Sequence, residues 1–246
     1  MDTTVSGDDG NMVEKSGYPT GPGGGTQTLF YDGFETNTGW TFGGGNGEWQ
    51  IGTPNNCGGD YGNPDPNGAY AGTKVLGNDL TGTGSYPCDY EAYLSATYAT
   101  SPVINCSGAG NVQLSFRRYL NVEQPLYDGA SILASANGTS FTQIWASTAT
   151  ITDSAWSLQT YDISGVADGQ STVYIRFQID KSDSSWQYSG WNIDEVTVTG
   201  YVDSPCTSGC PTANASIDSV DPSGDVCIGE AVTVSGSGTG QGTLVY

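Results

Sequence analysis

From Thr28 onward, apolar residues recur at every second position in short runs. Val112, Leu114 and Phe116 alternate with Gln113, Ser115 and Arg117, and Val173, Ile175, Phe177 and Ile179 alternate with Thr172, Tyr174, Arg176 and Gln178. A period of two puts one row of side chains on a buried face and the next on a solvated face, which predicts strands rather than helices. Similar runs occupy 28–31, 156–163 and 191–199. The runs 131–136 and 141–145 flank Asn137-Gly138, two residues that tolerate positive φ, so a hairpin is expected there. Roughly nine such strands over residues 28–201 predict an all-β chain, a two-sheet β-sandwich of the jelly-roll type.

Punctuation between the runs divides the chain. Residues 1–27 hold few apolar side chains and include Gly21-Pro22-Gly23-Gly24-Gly25, the composition of a disordered lead or linker. Residues 43–91 are dense in Gly, Asn and Pro with weak periodicity. They are expected to form a long irregular insertion that is functional or cation-stapled. A Cys-containing linker is expected over 202–214, around Asp203-Ser204-Pro205-Cys206. Beyond it, Ala215-Ser216-Ile217 and Ala231-Val232-Thr233-Val234 resemble the opening strands of an immunoglobulin-like or PKD-like β module. That module, 215–246, reads as truncated, because Leu244-Val245-Tyr246 stops within a strand-like run, and the chain reads as an excerpt of a longer protein.

Charge narrows the partners. Twenty-six Asp and Glu face six Lys and Arg, a net charge of −20 that repels phosphate backbones and anionic lipid. Nucleic acid is therefore not an expected partner. No apolar run approaches the ~20 residues of a membrane span, so membrane insertion is not expected either. The acidity suits a soluble extracellular protein, and it also suits loops that bind a divalent cation through oxygen. Met1 is followed by polar residues rather than a basic and then an apolar segment, so an export signal is expected outside this sequence.

Histidine is absent. Ser-His-Asp triads, Cys-His pairs and HExxH zinc sites all need imidazole, so none can be assembled from this chain alone. The cysteines, Cys57, Cys88, Cys106, Cys206, Cys210 and Cys227, contain no CxxC pair. Their scatter in an acidic, Tyr- and Gly-rich chain fits an exported, disulfide-bearing protein. Cys57 with Cys88 and Cys206 with Cys210 are the expected pairs; Cys106 and Cys227 have no obvious partner.

Several carboxylates are candidates for chemistry. The first strand ends in Asp32-Gly33-Phe34-Glu35, and the last begins Gly190-Trp191-Asn192-Ile193-Asp194. Asp194 shares parity with Val196 and Val198, which predicts that it faces the core and needs a cation or several hydrogen bonds. First and last strands of a sandwich commonly lie side by side, which would bring Glu35 near Asp194. A calcium site using Glu35 and Asp194, with Asp32 and Asp65 as further oxygen donors, is one expectation; carboxylates capping backbone amides are the other. Asn63-Pro64-Asp65-Pro66-Asn67-Gly68 begins like an EF-hand loop, but Lys74 stands where the final Glu belongs, so a rigid loop with an Asx turn is expected. Glu123, Asp128, Asp162, Asp180 and Asp183 could supply a glycosidase pair, yet no defined separation is legible and catalysis is not expected. Trp186 and Tyr188, with Tyr119 and Tyr127, could form a platform for a sugar ring; the alternative is that these rings close the ends of the core.

Phe34-Glu35, Ser101-Pro102, Tyr127-Asp128-Gly129 and Gly190-Trp191-Asn192-Ile193-Asp194-Glu195-Val196 resemble the MAM-like jelly-roll group that includes the cleaved-adhesin domains of gingipain-type proteins. Gly62-Asn63-Pro64-Asp65-Pro66 and the run from Arg117 to Pro125 are similar to a bacterial subset of it. The resemblance spans about residues 28–201 and implies a jelly roll, a cation near Glu35 and Asp194, and adhesion or accessory binding without catalysis. The cysteine arrangement departs from that of animal MAM domains. The expected partner is an extracellular polysaccharide or protein, or a parent catalytic domain of a secreted peptidase or polysaccharide-degrading enzyme, outside the cell or at its surface.

Overall fold

The computed structural model describes residues 24–45 and 48–203. The lead up to residue 23, the pairing of Cys206 with Cys210, Cys227, most of the linker and the module at 215–246 lie outside the described residues. Residues Thr26–Val202 gather into one compact unit.

Two antiparallel sheets face each other. The first is built on the order β10 (Ser157–Asp162), β6 (Ala109–Val122), β12 (Gly190–Val202), β4 (Val75–Asn78) and β3 (Trp49–Gly52). β1 (Gly25–Asp32) adds to β12, and β9 (Ile151–Thr152) adds to β6. The second runs β2 (Thr41–Gly44), β5 (Thr97–Thr100), β11 (Tyr174–Lys181), β7 (Gly129–Ser135) and β8 (Thr142–Ala146). The chain crosses repeatedly between sheets, as in a jelly roll. One short helix, α1 (Ser164–Ala167), closes the β10–β11 connection. No helix among the described residues is long and apolar enough to cross a membrane.

Alternation explains the core. Val112, Leu114 and Phe116 of β6 and Ile175, Phe177 and Ile179 of β11 are all buried, while their neighbours in sequence are part-exposed. Trp191 of β12 fills the centre, its ring centroid 5.7 Å from Phe177 and 5.9 Å from Trp145. The Asn137-Gly138 hairpin is wider than a two-residue turn. Only Gly138 takes positive φ, and Asn137 Oδ1 instead accepts from the amides of Thr139 and Ser140, so the side chain organises a longer loop.

One expectation is reversed. Asp194 does not share a face with Val196 and Val198. The register of β12 on β6 slips between Asp194 and Thr197, and Glu195 adopts φ 54°. Such a bulge places two residues opposite one and flips the parity beyond it. Trp191 and Ile193 therefore point into the core with Val196 and Val198, whereas Asn192 and Asp194 lie on the outer face opposite Tyr119 and Arg117. Asp194 is still fully buried because residues 70–71 cover it: the amide of Ala71 donates to its Oδ2 at 3.0 Å.

The region 43–91 is less irregular than its composition suggests. It contains β3 and β4, which pair with each other, and β4 joins β12 inside the sheet. All four residues of β4 are buried, so the run shows no alternation. The connection between β3 and β4 lies over the outer face. Asn63 N donates to Asn121 Oδ1, Asn192 Nδ2 donates to Asp65 Oδ1, and the Trp156 indole donates to Gly68 O. Cys57 and Cys88 form a disulfide, with Cα atoms 5.5 Å apart across a separation of 31 residues. Cys106 is a buried free thiol, its pKa pushed up to about 11 by burial first and by the charge of Asp168 second.

Because the disulfide restrains the unfolded chain, a Cys57→Ser/Cys88→Ser variant should lose about 2–4 kcal/mol. For a domain of this size that is a fall of roughly 5–15 °C in Tm, read by circular dichroism. A Tm within error of the parent's would show that the staple adds nothing to this fold.

Candidate ligand-binding end of the sandwich

Three connections meet where β6 and β11 end and β7 and β12 begin: 123–128, 182–189 and the segment 86–94 that carries Cys88 of the disulfide. Asp183 N donates to Asp128 Oδ1 at 2.8 Å, and the Tyr90 hydroxyl donates to Asp128 Oδ2 at 2.5 Å. Tyr90 N donates to Tyr188 O, Tyr93 N donates to Asp183 O, and the Ser182 hydroxyl donates to Glu91 O. These bonds tie the loops into one block.

Two exposed rings cap it. Tyr61 and Trp186 are stacked, with centroids 5.4 Å apart and planes at 17°, and they are 42% and 51% exposed. Tyr188 lies beneath, buried, 6.1 Å from Tyr61 and bridged to it through the backbone. Gly62 takes φ 76°, and a Cβ there would meet the Tyr188 ring at 2.7 Å, so only glycine lets the Tyr61 strand approach. Trp186 itself takes a left-handed φ of 61°, which presents its ring outward. Tyr127, Leu126 and Tyr93 are exposed on the adjoining loops. Of the rings expected to contact a ligand, Trp186 and Tyr127 are accessible, while Tyr188 serves as a base. Tyr119 is elsewhere, buried on the outer sheet face against Trp156. Tyr61 had no distinguishing signal in the sequence, since its role depends on a residue 125 positions away.

Beside the rings, Glu123, Asp128 and Asp183 place carboxylate oxygens within 4.8 Å of one another. Burial pushes the pKa of Glu123 up, and the charges of Asp128 and Asp183 push it further. Burial also raises Asp128, against the pull of the Tyr90 and Asp183 donors.

The carboxylates expected to hold calcium are arranged differently. Asp32 accepts from Phe34 N, the Thr38 hydroxyl and the Trp40 indole. Glu35 is exposed; it accepts from the amides of Thr73 and Lys74 and from the Thr73 hydroxyl, and these donors hold its pKa below the usual value. Burial pushes Asp194 up to about 6 against the amides of Ala71 and Glu195. Asp65 is fully buried against Asn192. The segment 71–74 thus straps Asp194 to Glu35 through its own amides, the capping role that stood open beside a cation. Asp32, Glu35 and Glu195 line a cleft of about 430 Å³ with Tyr31, whose hydroxyl donates to Glu195.

No family profile matches the chain, and no curated protein matches it. Solved structures do. The K1 cleaved adhesin domain of Lys-gingipain from Porphyromonas gingivalis W83 is 18% identical over 71% of this chain and 98% of that one, with a TM-score of 0.46. The C-terminal family 22 carbohydrate-binding module of Clostridium thermocellum Xyn10B is 13% identical over 72% and 96%, TM-score 0.41. TmCBM61, solved with β-1,4-galactotriose, is 14% identical over 68% and 92%, TM-score 0.40. The first belongs to the cleaved-adhesin group that the run from Gly190 to Val196 resembles. At these identities the likeness is one of fold.

Proposed function

We propose that the sandwich is a non-catalytic binding module of an extracellular protein and that it takes a glycan on the Tyr61–Trp186 rings. The observation that carries this reading is the exposed, pre-stacked pair of rings, fixed from below by Tyr188 and from the side by the hydrogen-bonded loops. Aromatic faces held rigid in this way pack against sugar C–H faces with little ordering cost. The disulfide at Cys57 and Cys88 supports an oxidising, extracellular setting. Among the alternatives, a protein ligand or a parent catalytic domain would meet the same surface.

The carboxylates beside the rings argue for binding rather than turnover. Asp128 is wholly buried and both its oxygens already accept hydrogen bonds, so it is not free to attack a sugar carbon. Asp183 Oδ1 is engaged by Ser185.

β-1,4-Galactan, the polymer of the sugar named with one neighbour above, and xylan are suitable first probes. Trp186→Ala and Tyr61→Ala should each weaken binding by about tenfold or more, equivalent to roughly 1.4 kcal/mol, with Tm nearly unchanged. Unchanged affinity in both variants would remove these rings from the binding surface. New reducing ends that vanish in Glu123→Gln would instead make the module an enzyme.

A further inference from the structure

Glu123 as a residue is 4% exposed, and no described residue donates a hydrogen bond to its carboxylate. The one hydrogen bond of this residue is made by its own backbone amide, to the Tyr90 hydroxyl. Its oxygen is aimed at those of Asp128 and Asp183. A carboxylate on a buried residue, without protein donors and facing two like charges, gains from a positive charge placed among them.

Among the described residues, no Lys or Arg forms an ion pair with these three carboxylates. The chain has six Lys and Arg, of which five are described. Lys74 Nζ donates to Glu35 O, and Arg118 pairs with Asp153. Arg117 stacks on Tyr70, and Arg176 lies over Tyr98 and Phe141. Lys181 is close enough to favour the charged form of Asp128, but its ammonium donates to Leu126 O. Lys181 thus acts on Asp128 from one side without pairing with any of the three carboxylates, and the described residues place no other cation among them.

We propose that Glu123, Asp128 and Asp183 bind a calcium ion and that the ion fixes the 182–189 loop beneath Trp186. The donors are all carboxylate oxygens, the set that hard cations prefer. Ligands about 2.3–2.6 Å from a calcium ion can lie up to roughly 5 Å apart. Oxygens within 4.8 Å of one another can therefore share one calcium sphere without a change of fold. Asp183 opens the loop, and its other bonds, accepted from Ser185 N and from Tyr93 N, lock the chain that carries the ring. The calcium site stands on its own; only its effect on ligand affinity rests on the glycan reading.

The test uses the whole chain and terbium luminescence excited through Tyr and Trp, with calcium as competitor. Tyr90, whose hydroxyl bonds to Asp128, is in place to sensitise the ion. The parent should bind one equivalent, and calcium should displace it. Glu123→Gln and Asp183→Asn should each weaken binding at least tenfold, while Glu35→Gln should bind as the parent does. Melting in EDTA separates binding from folding: both site variants should then be at least as stable as the parent, because each removes a like charge. Absence of calcium binding by the parent, equal affinity in both site variants, or loss in Glu35→Gln alone would overturn the assignment. If the ion binds as described, xylan or β-1,4-galactan affinity should fall at least tenfold in EDTA. Glycan binding that ignores calcium would overturn the coupling and leave the metal site standing; calcium binding with no affinity for either polymer would count against the glycan reading alone.

Discussion

An Asp65→Asn variant should be more stable than the parent at neutral and alkaline pH and equal to it below about pH 3.5. Asp65 is fully buried under the outer-face insertion, and its pKa is pushed up to about 8. Burial is the main cause; the charges of Asp89 and Asp79 add to it, and the hydrogen bond from Asn192 opposes it. The folded state therefore keeps a proton that the unfolded chain, with its ordinary value of 3.8, releases. Stability is then greatest below the unfolded pKa and falls as pH rises, by about 1.4 kcal/mol per unit, until the folded group also ionises near pH 8. Geometry agrees with a neutral side chain. Asn192 Nδ2 donates to Asp65 Oδ1 at 2.6 Å, yet Asp65 Oδ2 and Asn192 Oδ1 have no partner among the described residues. A proton on Asp65 adds the donor this pair lacks, and the amide of an Asn adds it at every pH. Urea melts of parent and variant from pH 4 to 9 should give a difference that grows to several kcal/mol and then levels. A difference that does not change with pH would show that Asp65 is charged in the folded state.

How far the fold was legible depended on which faces each strand buries. β6 and β11 each have one solvated face, so their side chains alternate and their registers are plain in the sequence. β4 is buried on both faces and β3 is only four residues long, so neither breaks the Gly-, Asn- and Pro-rich pattern around them. Asp194 shows a different failure. Parity counts residues, and the bulge at Glu195 adds one that no local composition marks. The binding end was legible only in pieces. Trp186, Tyr127, Asp128 and Asp183 each stood out as ring or carboxylate, but their grouping depends on β6, β7, β11 and β12 ending side by side. Tyr61 joins Trp186 only because the β3–β4 connection, which carries Cys57, folds back to Tyr188.

Trp191→Ala should be the most damaging single aromatic replacement described here, whereas Trp186→Ala, five positions earlier, should be nearly silent in stability. Trp191 is wholly buried and packs on Phe116, Phe177 and Trp145, joining both sheets. Its indole N–H donates to Gln178 O at 3.0 Å, so truncation also leaves a carbonyl of β11 without that donor. Removing a large buried ring costs about 3–5 kcal/mol, because its contacts are lost and the cavity collapses only in part. For a domain of this size the Tm should fall by roughly 6–20 °C. Trp191→Phe refills much of the volume but lacks the donor, so it should fall between parent and Ala. Trp186 packs on one side only, against the Tyr61 ring, and its loss should cost within about 1 kcal/mol. Thermal melts of the three variants separate the two roles. A loss below about 1 kcal/mol for Trp191→Ala would mean that the sheets are not joined through this ring. A loss for Trp186→Ala as large as that for Trp191→Ala would make the exposed stack a part of the core instead of a surface kept free for a ligand.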